Sequence, residues 1–170
     1  MVRSLSVLFF LLSFLGASVP AAAQHSPYAH HADRAVASLS DEEVADLLAG
    51  EGAGLALAAE LNHHAGPKHV IELADSMHLT ATQREQVEAE FATMLEAAQR
   101  VGRQLVDAER AVDSLFRTGS VTESVLRTHI ERAASRRAEL RVIHMMAHVR
   151  VRAMLTEQQV HAYQRLRGYL

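Results

Sequence analysis

Two pairs of side chains have the types and the spacing of metal ligands on one helical face. His144 and His148 are spaced i, i+4, and His69 and Glu72 are spaced i, i+3. Imidazole and carboxylate groups bind Zn, Cu, Ni and Co, so these four residues predict a site for a divalent transition metal. Such a site requires the segment that carries His69 to fold back onto the helix that carries His144.

Other interpretations of these residues remain open. His144 also falls on an apolar stripe, where a buried imidazole bonded to Glu96 or Arg141 is the alternative. Because the chain contains 11 His, one pair with helical spacing can arise by coincidence. Met94, Met145, Met146 and Met154 are compatible with Cu(I), but Met94 and Met154 fall on apolar stripes and are expected in the core. Five further histidines lie outside the periodic segments, where each of them either chelates metal or is solvated. They are His25, His30, His31, His63 and His64.

Catalytic motifs are absent from the sequence. The chain has no Cys, which excludes a thiolate nucleophile, a thiolate metal site and a disulfide. It contains no G-x-S-x-G, no Gly-rich phosphate loop and no H-E-x-x-H. Its 17 basic and 20 acidic residues form no basic block of the kind that binds nucleic acid. We therefore expect a protein that is not an enzyme, binds no nucleic acid and requires no cofactor. Whether it binds a divalent transition metal stays open at this point.

The N-terminus has the three parts of a secretory signal peptide. Arg3 provides a positive charge, residues 5–15 are apolar apart from two serines, and Ala21-Ala22-Ala23 provide the small residues of a cleavage site. The apolar run is shorter than the ~20 residues of a transmembrane helix. We therefore expect cleavage after Ala23, export of residues 24–170 to the periplasm, and no membrane span in the mature protein.

Helix-starting and helix-ending signals divide the mature chain. Residues 24–39 lack apolar periodicity and are predicted to form a flexible arm that contains histidines. The capping box Ser40-x-x-Glu43 opens a short helix that ends at Gly50. Two more short helical segments are predicted at residues 55–61 and 68–77.

Two long helices dominate the predicted fold. From Thr80 to Arg117 apolar residues recur in steps of three and four, which is typical of an amphipathic helix. The first stripe consists of Val87, Phe91, Met94, Ala98, Val101, Leu105, Ala108, Val112 and Leu115. The second helix, from Thr122 to Met154, has the stripe Leu126, Ile130, Ala133, Arg137, Leu140, His144, Ala147, Val151 and Met154. The short link between them predicts a long antiparallel helical hairpin. With a last helix from Glu157 and no strand pattern, residues 40–170 are predicted to form a single all-α domain.

Two of the predicted helices begin with the same pattern. Leu79-Thr80-x-x-Gln83 and Leu155-Thr156-x-x-Gln159 both read L-T-x-x-Q. In each, Thr is expected to cap the first turn while Gln reaches back to the N–H of the cap residue. One copy is weak evidence because capping boxes are common. Two copies in an exported, all-α chain without Cys are a more specific signal.

These paired motifs resemble those of the Spy/CpxP family of periplasmic proteins. The resemblance extends to Ser26-Pro27-Tyr28-Ala29, to Gly66-Pro67-x-His69-Val70 and to Tyr163-x-x-Leu166-Arg167-Gly168-Tyr169. It implies a helical hairpin that dimerises into a thin, curved cradle. Spy-like members are ATP-independent chaperones, CpxP-like members also restrain a sensor kinase, and relatives in heavy-metal resistance bind zinc, copper, nickel or cobalt.

The resemblance implies two functions. The first is a periplasmic chaperone or envelope-stress protein, a homodimer that binds unfolded or misfolded envelope proteins and, in the CpxP manner, a membrane sensor protein. The second is a periplasmic heavy-metal sensor or resistance protein that uses the His69, Glu72, His144 and His148 set. This chain departs from the Spy/CpxP pattern in its net charge of −3 and in its single Lys, although arginines are frequent between residues 127 and 152.

Overall fold

The computed structural model of the chain describes Ser26 and residues 28–170. The predicted signal peptide and its cleavage site after Ala23 lie outside the described residues, as does His25. The chain divides into two units, Met1–His30 and His31–Leu170. In the first, the Ala29 N–H donates to the Ser26 carbonyl at 3.0 Å, and a short 3-10 turn begins at Ala29.

The second unit is built from helices. They are α1 (Asp41–Ala49), α2 (Leu57–Glu60), α3 (Pro67–Glu72), α4 (Ala81–Arg117), α5 (Glu123–Met154) and α6 (Glu157–Leu166). No strand occurs in the part of the chain that the structure describes, and the all-α prediction is confirmed. The capping box predicted at Ser40 is present, and α1 ends at Gly50 with φ +78°. α3 ends at Glu72, earlier than the predicted Met77, and turns continue the chain to His78.

α4 and α5 pack against each other. They contain 37 and 32 residues, which at 1.5 Å per residue correspond to about 55 Å and 48 Å. Arg150 donates to the Glu90 carboxylate at 2.7 Å, and Gln83 donates to the Met154 carbonyl at 2.8 Å. These contacts pair the first turns of α4 with the last turns of α5. Within residues 28–170, no helix combines the length and the apolar character needed to cross a bilayer.

The apolar stripe of α4 faces the interior along its whole length. Every residue of the predicted stripe from Val87 to Leu115 is buried or half-buried. The stripe of α5 is confirmed only in part: Ala133, Leu140, His144, Ala147 and Val151 are buried, whereas Ile130 and Arg137 are exposed. Arg137 lines a small cavity beside Glu43, where its long aliphatic stem allows the guanidinium to reach solvent.

The core consists of two clusters at different levels of α4 and α5. The first contains Val36, Leu39, Leu47, Ala98, Val101, Leu105, Val106, Ala108, Ala133 and Leu140. The second contains Ala65, Val70, Met77, Val87, Val151, Leu155, Val160 and Tyr163. Met94 on α4 and His144 on α5 lie at the level between the clusters. The short helices α1 and α3 therefore cover different halves of the long helix pair.

The flexible arm predicted for residues 24–39 includes residues that pack in the core. Val36 and Leu39 are each only 1% exposed and belong to the first core cluster. The Ala37 N–H donates to Asp113 at 2.8 Å, and the Ser38 hydroxyl donates to Glu109 at 2.9 Å. The predicted boundary at Leu39 is therefore wrong for residues 36–39. Two apolar residues one helical turn apart are too short a pattern to indicate this anchoring.

Gly102 marks a close approach between α1 and α4, and we predict that Gly102→Ala destabilises the protein. A Cβ at this position would lie 2.0 Å from the carbonyl oxygen of Leu47, so α1 would have to move. Such overpacking costs ~1–3 kcal/mol, which exceeds the ~1 kcal/mol that Ala contributes through helix propensity. Chemical denaturation should show a lower free energy of unfolding. Arg103→Ala, at the exposed neighbouring position, is the control and should be close to neutral. Unchanged stability of Gly102→Ala would show that α1 is not packed as described.

Candidate functional site

Both L-T-x-x-Q segments form the predicted capping boxes. Thr80 Oγ1 accepts from the Gln83 N–H at 3.2 Å, and Thr156 Oγ1 accepts from the Gln159 N–H at 3.3 Å. In return, Oε1 of each Gln accepts from the N–H of its own Thr at 3.0 Å. Leu155 belongs to the second core cluster and Leu79 packs against it. The motif residues therefore start α4 and α6 and anchor both starts to the core.

The two motifs also contact each other, which the sequence analysis did not predict. Nε2 of Gln83 donates to Oε1 of Gln159, and Nε2 of Gln159 donates to Oε1 of Gln83, both at 2.9 Å. The other amide hydrogens reach the carbonyls of Met154 at 2.8 Å and His78 at 3.4 Å. Each Gln side chain thus makes two donated and two accepted hydrogen bonds. We call this contact the amide pair.

A cavity of about 330 Å³ lies between the two core clusters. Three of the four predicted metal ligands line it, namely His69, His144 and His148. The segment that carries His69 therefore does fold back to α5, as a shared site requires. Glu72 is not part of the lining, and its carboxylate instead accepts from Nδ1–H of His69 at 2.9 Å.

Each of the three imidazoles has a nitrogen with no hydrogen-bond partner in the part of the chain that the structure describes. Nδ1–H of His148 donates to the His64 carbonyl at 2.7 Å, and within the described chain Nε2 of His69 and of His148 has no hydrogen-bond partner. A ring held through one nitrogen by an oxygen, with the other nitrogen available, is the usual state of a metal-ligating His. In the structure as it stands, however, no three His, Asp or Glu side chains among the described residues form a metal-binding group. Binding of one ion in the cavity therefore requires side-chain rotation.

His144 is the most deeply buried of the three, at 3% exposed. Its Nε2 is inaccessible to water and has no hydrogen-bond partner within residues 28–170, so this atom makes no bond to Glu96 or Arg141. Burial lowers the pKa of His144, and the nearby His148 lowers it further, against an opposing effect of Glu51. The imidazole is consequently neutral at neutral pH, which is the form that binds metals.

Gly66 makes room for the imidazole of His148, whereas Gly52 lies at ordinary contact distance from that of His144. A Cβ at Gly66 would lie 2.9 Å from Cε1 of His148, and a Cβ at Gly52 would lie 3.5 Å from Nδ1 of His144. The Gly66 N–H also donates to Oε2 of Glu60 at 3.2 Å, and that oxygen lies 3.6 Å from Nδ1 of His148. Gly66-Pro67, interpreted from the sequence as a helix break, thus also shapes the cavity wall.

Glu60, a buried carboxylate at the end of α2, was not singled out by the sequence analysis. Its Oε1 accepts from the hydroxyl of Tyr163 and, at 3.2 Å, from that of Tyr169, and it lies 3.7 Å from Nε of Arg167. Burial, together with the hydrogen bond to Glu60, raises the pKa of Tyr163, which therefore stays protonated. Tyr163, Arg167 and Tyr169 belong to the C-terminal segment that carries the family resemblance, but their spacing did not predict a contact with Glu60.

α5 carries a second apolar face, directed away from the core. Val142, Met146 and Val149 are 59%, 43% and 47% exposed, and their i, i+4, i+7 spacing places them on one face. Ala138 and Ala153 are also exposed and extend this face in both directions. We call these five residues the outer strip.

Arginine side chains lie around the outer strip. Arg132 and Arg141 are exposed, and neither has an ion-pair partner in the described part of the chain. Arg150 and Arg152, by contrast, are paired with Glu90 and with a carboxylate of α6. Arg132 and Arg141 are therefore the arginines beside the strip whose charge is not balanced by an ion pair within the described residues.

Comparisons with known proteins give no match: no protein-family model, no curated protein and no solved structure matches this chain. The resemblance to the Spy/CpxP family therefore remains a prediction based on the sequence motifs.

The amide pair generates a prediction about stability. In Gln83→Met or Gln159→Met, the remaining amide loses its partner; because the contact is partly buried, the cost should lie toward the lower end of the ~1–3 kcal/mol of an unsatisfied buried group. The double variant should lose less than the sum of the two single losses, because no unpaired amide remains. Denaturant unfolding of all four proteins measures this coupling.

Thr80→Ala and Thr156→Ala are the matched controls. Each removes a helix cap worth ~0.5–2 kcal/mol and leaves both amides in place, so their effects on the free energy of unfolding should be additive. Additive effects of the two Gln substitutions would contradict a direct contact between the motifs.

Proposed function

We propose that this protein is a periplasmic, ATP-independent chaperone or envelope-stress protein of the Spy/CpxP type that binds unfolded client proteins. The outer strip is the observation that supports the proposal most directly. It is a continuous apolar face over several turns of α5, on the side that the core does not use. Contiguous exposed apolar surface of this kind is typical of sites that bind other proteins.

The chemistry of the strip suits weak and reversible binding. Unfolded chains expose apolar side chains, and each Å² of apolar surface removed from water contributes roughly 25 cal/mol. A strip one helix wide covers little of a client, so clients leave without ATP hydrolysis. The unpaired Arg132 and Arg141 add attraction for acidic segments, which raises the rate of encounter.

A second copy of the chain and a membrane sensor protein are the other proposed partners. The family resemblance implies an antiparallel hairpin that dimerises into a cradle, and the contacts between the first turns of α4 and the last turns of α5 are compatible with it. Further apolar side chains are exposed near the link between these helices, among them Phe116 and Val121. A homodimer would bring two outer strips into one particle and strengthen client binding through multivalency.

The cavity favours a second candidate function, binding of a heavy metal. Its basis is the buried Nε2 of His144, which lacks a partner among the described residues, in a cavity that His69 and His148 also line. Neutral imidazoles would hold Zn, Cu, Ni or Co, and Glu72 would orient His69 through its hydrogen bond rather than bind the ion itself. The protein would then be a periplasmic metal sensor or resistance protein.

We predict that Val142→Gln/Val149→Gln abolishes client holding. The wild type should slow the aggregation of a chemically denatured model substrate at equimolar ratio, without nucleotide, and the double variant should not, because its strip is polar. Light scattering of the diluted substrate measures the effect. Both positions are exposed, so circular dichroism and the molar mass of the variant should match the wild type.

Ala89→Gln/Ala92→Gln is the matched control, since it places the same side chains on exposed positions of α4. This variant should hold clients like the wild type. If the wild type does not slow aggregation even at several-fold excess over the substrate, the chaperone proposal is contradicted. If the Val142→Gln/Val149→Gln variant keeps full activity, only the assignment of client binding to the outer strip is excluded.

For the metal, we predict specific binding that depends on His144. The test uses the mature protein with His25→Gln, His30→Gln and His31→Gln, which removes chelation by the N-terminal segment. Calorimetric titration with Zn, Cu, Ni and Co should detect one site that is lost in His144→Gln and weakened roughly 10–100-fold in Glu72→Gln. Affinity should fall as the pH is lowered, because protons compete with the metal for the imidazoles, and the lowered pKa of His144 keeps that ligand neutral further into the acid range.

His63→Gln/His161→Gln, at exposed positions, is the control for nonspecific chelation and should keep the affinity. Equal affinity with and without His144 would leave this residue as part of the helix interface and would remove the metal function.

A further inference from the structure

Met146 differs from the other methionines in its exposure. It lies in the outer strip between Val142 and Val149 and is 43% exposed, whereas Met77 and Met94 are buried. Met145 and Met154 are half-buried. Among the described residues, Met146 is thus the most exposed methionine, and it lies on the face that the core does not use.

We propose that Met146 is a site of reversible oxidation that switches off client binding by the outer strip. This inference rests on the proposed chaperone function. The oxidant is a peroxide such as hydrogen peroxide. The sulfur lone pair attacks one peroxide oxygen, an S–O bond forms and the O–O bond breaks. The leaving hydroxide takes up the proton of the new sulfur-bound hydroxyl and departs as water, which leaves the sulfoxide, so the sulfur is oxidised by two electrons and the peroxide is reduced.

The product has the properties that such a switch needs. Methionine sulfoxide is polar and chiral, and methionine sulfoxide reductases return it to the thioether. Oxidation at Met146 places a strong hydrogen-bond acceptor in the middle of an otherwise apolar face. Apolar client side chains can then bind there only by desolvating the sulfoxide, which costs free energy. The fold itself is unaffected, because Met146 is on the side of α5 opposite the core.

The test treats the full mature protein with hydrogen peroxide and follows two quantities. Peptide mass mapping gives the rate of sulfoxide formation at each methionine, and the aggregation assay gives the holding activity of each protein relative to its own untreated sample. We expect Met146 to be oxidised before Met77 and Met94. Treated wild type should lose holding activity, with an unchanged circular dichroism spectrum, and regain it after incubation with a sulfoxide reductase.

Two substitutions separate Met146 from its neighbour. Treated Met146→Leu should keep the activity of its own untreated sample, because Leu has no oxidisable sulfur, whereas Met145→Leu should lose activity like the wild type. Two results would overturn the oxidation switch but not the chaperone proposal. One is an equal loss of holding activity in treated Met146→Leu and treated wild type, and the other is oxidation of Met77 and Met94 as fast as Met146. If untreated wild type holds no client, the chaperone proposal fails and the switch fails with it.

Discussion

The reciprocal amide pair of Gln83 and Gln159 joins the ends of three helices and the turn that precedes one of them. It connects the first turn of α4, the first turn of α6, the last carbonyl of α5 and the carbonyl of His78. With four hydrogen bonds on each amide, a shift of α5 by one turn would leave several buried polar groups unpaired. The pair therefore sets the register of α5 against α4. That register brings His144 to the level of Met94 and directs Val142 and Val149 outward.

The network around Glu60 has a corresponding role on the other side of the cavity. α2 contributes only four residues and little apolar surface, so packing alone would hold this segment weakly. The hydroxyls of Tyr163 and Tyr169 and the N–H of Gly66 all donate to the Glu60 carboxylate. A buried carboxylate is stable only when donors surround it. The charge thus ties α2 and the following loop to the C-terminal segment, and the cavity remains between them and α5.

Features that depend on local spacing could be predicted from the sequence, and features that depend on distant pairing could not. The stripe of α4 and the Thr80 and Thr156 caps involve residues within a few turns of each other. The two glutamines of the amide pair are 76 residues apart, and each motif is already explained by its own cap. Glu60 gives no local signal, because an acidic residue in a short helix is normally solvated. The stripe of α5 was predicted less well than that of α4 because apolar residues occupy two faces of α5.

The two apolar faces of α5 make both proposed functions properties of the same helix. His144 and His148 lie on or beside its inner face, and the outer strip occupies the opposite face within the same turns. If a bound metal moved His144 and His148 closer together, α5 would change shape within the same turns that carry Val142, Met146 and Val149. Client binding and metal binding are therefore not mutually exclusive, and they need not be independent. A ligand on one face alters binding on the other only if it favours one of two conformations of α5. The amide pair fixes the C-terminal end of α5, so such a conformational change would displace the middle turns of the helix.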